Sequence, residues 1–181
     1  MVHRTKLPDM ASVANSQGDA RLYAPSAERN CTPIVKTIQR IAPKSGQALE
    51  IASGTGEHIV KLASSLPNLS WLPSDVDEER LKSISAWIAA ENLPNIQPPL
   101  YLDATEAGWA QSLPQFDFIL LVNLLHLISW NETETLINQL PKVLKKTELC
   151  SFMVHLCEVV SLPVQGIKIF ILALYLSLIH I

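Results

Sequence analysis

The chain has 181 residues, with 14 Lys and Arg against 17 Asp and Glu, for a formal net charge of −3. That length suits one domain with its own core, and the acidic balance speaks against a protein whose main task is gripping nucleic acid, which usually needs a basic face. Apolar residues make up 48% and charged residues only 17%, a balance that excludes a disordered chain.

Residues 1–25 are polar and aperiodic and are expected to form a mobile N-terminal arm. They hold no apolar run of the kind a secretory signal requires. Thr32-Pro33 carries a helix start, a capping hydroxyl followed by proline at the first helical position. Ile34, Val35, Ile38, Ile41 and Ala42 then form one apolar stripe, and Pro43 ends it. Residues 47–52 are short and apolar and run into Ser53-Gly54-Thr55-Gly56, which reads as a strand entering a glycine turn. A helix follows over 57–66, with Ile59, Leu62, Ala63 and Leu66 at helical spacing and His58 on its surface. Residues 69–75 read as the next strand, weakened by Pro73, which lacks a ladder donor. Residues 78–92 form a helix, residues 96–102 a strand closed by Asp103, and residues 116–122 a strand apolar enough to be buried on both faces. Residues 132–145 form the last clear helix, with Trp130 expected to pack just before it. Strands alternating with helices predict an α/β, Rossmann-like, doubly wound and mostly parallel sheet with right-handed crossovers.

Ligands of such a sheet bind beyond the carboxyl ends of its strands. The four strand ends carry Gly54 and Gly56, then Asp75, then Asp103, then Asn123. The glycines let a ligand approach the backbone at a helix start, and a carboxylate about 20 residues on is placed for ribose hydroxyls. Together they suit an adenosine-like ligand. Ile59 stands where the dinucleotide fingerprint has its third glycine, which counts against NAD. Each residue also has a structural role open to it. Asp75 is alternatively a helix cap, and Asp103 a cap for the turn before Thr105. Glu50, inside an apolar strand, is costly to bury unpaired; it orders the glycine loop and meets a ligand ammonium, or it pairs structurally. His126 packs, or it accepts a proton.

These residues carry a resemblance. Leu49 to Gly56 resembles motif I of class I S-adenosylmethionine-dependent methyltransferases. Ala27-Glu28-Arg29-Asn30, Glu50 to His58, Pro73-Ser74-Asp75 and Asn123-Leu124-Leu125-His126 are together similar to the methyltransferase-like protein 26 family, over about residues 20–145. The resemblance implies S-adenosylmethionine as cofactor and an unknown methyl acceptor as partner. It puts Glu50, Ala52, Gly54, Gly56, Asp75 and Asp103 on cofactor positions, with Arg29 and Asn30 closing over the methionine end. Methyl transfer to an amine or hydroxyl needs a proton acceptor, for which His126, beside Asn123, is the candidate. A nucleotide-fold binding or scaffold module without turnover is the competing expectation.

After Lys146 the resemblance stops. Residues 26–150 are expected to form a partial domain that lacks the last strands of its sheet, followed by an apolar tail over 151–181 from a truncated or divergent end. The uncharged run 169–181 has 13 residues, short of the roughly 17–25 that span a bilayer, so membrane insertion is not expected. The three cysteines, Cys31, Cys150 and Cys157, form no Cys-x-x-Cys pair or zinc spacing. No metal site is expected, and a reducing location is, the cytoplasm first and the nucleus second.

Overall fold

The computed structural model describes residues 14–16 and 18–145, and the backbone of three further strands within 152–172. Strands β1 (Asn15–Ser16) and β2 (Leu22–Tyr23) make a small antiparallel pair. The main body then alternates: α1 (Pro25–Ile41), β3 (Gly46–Ile51), α2 (Glu57–Ser65), β4 (Leu69–Asp75), α3 (Glu78–Glu91), β5 (Leu100–Tyr101), β6 (Phe118–Leu121) and α4 (Trp130–Val143). Four parallel strands lie in the order β5-β4-β3-β6. The order reverses between β3 and β6, so a crevice opens at the carboxyl ends of the strands near that switch.

Side-chain alternation sorts the core into two layers. Leu49 and Ile51 of β3 join Ile119 and Leu121 of β6 under α4. Ala48, Phe118 and Leu120 point the other way, into a cluster with Ile34 and Ile38 of α1, Ile59 and Leu62 of α2 and Ile84 of α3. Helix α4 opens on a full capping box, in which Ser129 and Glu132 satisfy each other's backbone N–H groups.

Helix α1 starts at Pro25, not at Thr32-Pro33, and Pro33 lies inside it. Proline at the first helical position suits either start. A distant side chain decides between them: the Glu57 carboxylate accepts from the Ala24 amide at 2.7 Å, holding the chain where the helix begins. Pro73 is accommodated within β4. The Trp71 amide donates to Asn95 on the β5 side, so two-residue alternation turns the Pro73 nitrogen to that side as well. Pro98 and Pro99 interrupt the neighbouring ladder there, which limits β5 to two residues.

Beyond β6 the backbone adds β7 (Phe152–His155), β8 (Val160–Val164) and β9 (Ile167–Leu172), in the order β6-β7-β9-β8. Only β8 runs antiparallel to its neighbour. The expectation that the sheet lacks its last strands is corrected here: β-branched residues in this apolar stretch extend the sheet. No helix follows α4 among the described residues. The tail 173–181 and the cysteines Cys150 and Cys157 lie outside them.

Candidate functional site

Beyond the carboxyl ends of β3, β4, β5 and β6 lies a cleft. The turn after β3 builds its floor. Ala52 has φ 56°, Gly54 φ 61° and Gly56 φ 96°, a run of left-handed residues that reverses the chain sharply into α2. The two glycines do different work. A Cβ on Gly54 would meet nothing within 4 Å, because Gly54 faces the open cleft. A Cβ on Gly56 would lie 3.0 Å from the Ile84 Cα, so Gly56 is there to let α3 pack against the turn. Gly56 does not line the cleft.

Two buried carboxyl groups stand side by side on this floor. Glu50 is 1% exposed, and its Oε2 has no hydrogen-bond partner among the described residues. Burial pushes the Glu50 carboxyl up to about 8; Ser53 opposes the shift and the Asp75 charge adds to it. Asp75, the last residue of β4, is 3% exposed. Its Oδ2 accepts from the Gly54 amide at 2.9 Å, and its Oδ1 from the amides of Val76 and Asp77 at 2.8 and 3.1 Å. Burial raises its pKa, while those amides and the Arg80 charge pull it back. The cap of α3 is Asp77, whose carboxylate accepts from the Arg80 amide, which removes the helix-cap alternative for Asp75.

Asp103 lines the cleft and also caps its own turn, accepting from the Thr105 amide at 2.9 Å. The turn-cap role is the one the structure shows, and the carboxylate keeps lone pairs beyond those that the Thr105 amide and hydroxyl occupy. Asn123 lines the cleft with φ 57°. His126 is exposed in a short turn, Leu125–Leu127, and does not line the cleft, although Leu124 and Leu127 beside it do. Arg29 is exposed on α1 and also stays out of the cleft. Asn30 is buried and approaches the cleft through a neighbour: its Oδ1 lies 2.8 Å from His58 Nε2.

His58 departs from the position its sequence context predicts. It is buried and lines the cleft, whereas a surface position was expected. The signal was present, since His58 precedes the buried Leu62 by four residues and shares its helix face. Trp130 departs in the opposite direction, standing 74% exposed at the start of α4. Among the described residues, no cluster of His, Cys, Asp and Glu has the makings of a metal site. No described helix is long and apolar enough to cross a membrane.

A family model described as "Protein of unknown function (DUF938)" matches residues 21–153. The fold is similar to that of several solved structures. An O-methyltransferase family protein from Burkholderia thailandensis matches with TM-score 0.57 and 16% identity, over 66% of this chain and 36% of that one. Coclaurine N-methyltransferase, bound to N-methylheliamine and SAH, matches with TM-score 0.55 and 17% identity, over 66% and 34%. PKMT2 from Rickettsia typhi, in complex with AdoHcy, matches with TM-score 0.52 and 18% identity, over 65% and 23%. The matched region thus spans about a quarter to a third of those chains, and identity at this level establishes the shared Rossmann-like fold.

Proposed function

The chain belongs to the DUF938 family of proteins of unknown function, and we propose that within it this protein is a methyltransferase-like protein whose cleft binds S-adenosylmethionine. The finer kinship with the methyltransferase-like protein 26 family is part of the same reading. The observation that carries it is the unpartnered, buried Oε2 of Glu50 beside Asp75, at the open face of Gly54. A buried carboxyl group without a partner is costly, and a cationic ligand would offset that cost.

The residues present fit the cofactor. Glu50 would face its positive methionine end, with Ala52 and Gly54 forming the close backbone wall. Asp75 has carboxylate lone pairs left to accept from ribose hydroxyls, and the three amides it already binds hold it in place. Asp103, with Leu102 and Ala104, would flank the base. When bound, the cofactor supplies a methyl group activated on a sulfonium.

What remains for the protein is orientation, exclusion of water and handling of a proton. In this reading Asn123, which lines the cleft, orients the acceptor. His126, exposed on the turn whose Leu124 and Leu127 line the cleft, would take the proton only of an acceptor that extends past the cleft rim, and Arg29, exposed on α1, would meet the methionine end only from outside. The acceptor is unidentified, and a cytoplasmic or nuclear location belongs to the proposal.

Isothermal titration with S-adenosylhomocysteine tests this. Saturable binding is expected, and Asp75→Ala should weaken it by about 1.5–3 kcal/mol, the scale of a hydrogen bond to a charged group. Wild-type affinity in a folded Asp75→Ala variant would sink the ribose assignment. Binding without methyl transfer to any offered acceptor would instead favour the non-catalytic binding module.

A further inference from the structure

The junction between the strap, residues 21–24, and the first turn of α1 forms one wall of the cleft: Ala24 ends the strap, Ser26 and Ala27 belong to the helix, and all three line the cleft. Two side chains from other elements hold that segment by its backbone. The Ala24 amide donates to Glu57 Oε2 at 2.7 Å, and the Leu22 amide donates to Ser83 Oγ at 2.8 Å. Both of these side chains also grip the glycine turn, at one residue. Thr55 Oγ1 donates to the same Glu57 oxygen at 2.8 Å, and Ser83 Oγ donates to the Thr55 carbonyl at 2.7 Å. The strap is pinned from outside as well. Trp87 Nε1 donates to the Leu22 carbonyl at 3.1 Å, and the Arg21 guanidinium lies 5.0 Å from the Trp87 ring.

Thr55 therefore shares both of its latches with the strap. A shift of the glycine turn moves the acceptors on which Leu22 and Ala24 depend, and release of the strap frees the groups that hold Thr55. We propose that Glu57 and Ser83 are positioning residues that couple strap 21–24 to the glycine turn, so that a ligand settling on the turn orders the strap and, through Ala24 at its end, the cleft wall that Ala24 shares with the first turn of α1. The coupling rests on reading the cleft as the cofactor site. It is reciprocal: whatever holds the strap raises affinity in the cleft, and ligand in the cleft holds the strap by the same factor.

The test uses the full chain, titrated with S-adenosylhomocysteine and followed by hydrogen exchange at the Leu22 and Ala24 amides. Ligand should slow exchange at both amides. Glu57→Ala, which removes the shared acceptor, should weaken binding about five- to tenfold, within the usual range of coupling between sites, and abolish the response at Ala24. Glu57→Gln, which keeps a carbonyl acceptor, should restore both. Ser83→Ala should weaken binding in the same direction, and Thr55→Val, which leaves the strap's own bonds in place, serves if Glu57→Ala fails to fold. Wild-type affinity in these variants, with folding confirmed by circular dichroism, overturns the proposal. If the wild-type chain does not bind S-adenosylhomocysteine, the cofactor reading falls, and the latch is decided in the free protein. There, Glu57→Ala must speed exchange at the Gly54 and Gly56 amides as well as at Ala24. Faster exchange at Ala24 alone would mean that strap and turn are not coupled.

Discussion

Glu50 sits where a charge is most expensive, inside a central strand with one oxygen unsatisfied. Its carboxyl is pushed up to about 8 from an ordinary 4.5, chiefly by burial. The folded chain therefore keeps a proton that the unfolded chain has already lost between those two values. Where the folded state binds more protons, stability falls as pH rises. We expect the free protein to lose stability steadily from about pH 5 to about pH 8, and Glu50→Gln to flatten that slope, as read by urea denaturation at a series of pH values. A ligand with a positive charge beside Glu50 favours the ionised form, so its binding should release a proton and tighten with rising pH in the same window. Affinity that does not change with pH there would show that no cation meets Glu50. Asp75 differs for a local reason. It is nearly as buried, but three backbone amides already stabilise its charge.

At the scale of elements, the glycine turn separates two functions that its Gly-x-Gly spelling merges. Gly54→Ala adds a methyl group into open cleft at φ 61°. The backbone strain should cost about 1–2 kcal/mol, while affinity for S-adenosylhomocysteine falls further because the new methyl occupies ligand space. Gly56→Ala drives a methyl against the α3 backbone at Ile84. Strain and overpacking together should cost about 2–4 kcal/mol of stability, with loss of binding following only from loss of fold. Thermal melts and titrations on the two variants check this, and equal effects on both quantities would show that the turn acts as one unit. The start of α1 teaches a similar lesson. The start expected at Thr32-Pro33 gives way to Pro25 because Glu57, on another helix, binds the amide just before it.

Across the whole molecule, the parallel strands β5-β4-β3-β6 are the shared wall of two cores, and β6 serves both. Phe118 and Leu120 face α1, α2 and α3, while Ile119 and Leu121 face α4. Phe118 is fully buried, with its ring 6.2 Å edge-on from Trp71. Phe118→Ala should cost about 3–5 kcal/mol, a large share of the roughly 5–15 kcal/mol that holds a domain together. Because both layers rest on the same strand, urea unfolding should remain a single transition monitored from either layer. Two separated transitions would show that the layers are independent.

The sequence by itself determined the alternation of strands and helices, the parallel sheet and the polar residues at the strand ends. Each of these follows from local periodicity, glycine and proline punctuation, and the rule that ligands lie beyond strand ends. Glu50, Asp75, Asp103, Gly54 and Asn123 were legible in this way, and all five line the cleft. Only the tertiary structure decided which side chains from distant segments meet. It buried His58 against Asn30, left Arg29 and His126 exposed, gave the cap of α3 to Asp77, and fastened the strap to Thr55 through Glu57 and Ser83. Leu22 and Ser83 are 61 residues apart, and Ala24 and Glu57 are 33 apart. Hydrogen bonds over such separations leave no periodic trace in the sequence, because a polar residue at the edge of a buried helix face looks the same whether its partner is water or another segment of the chain.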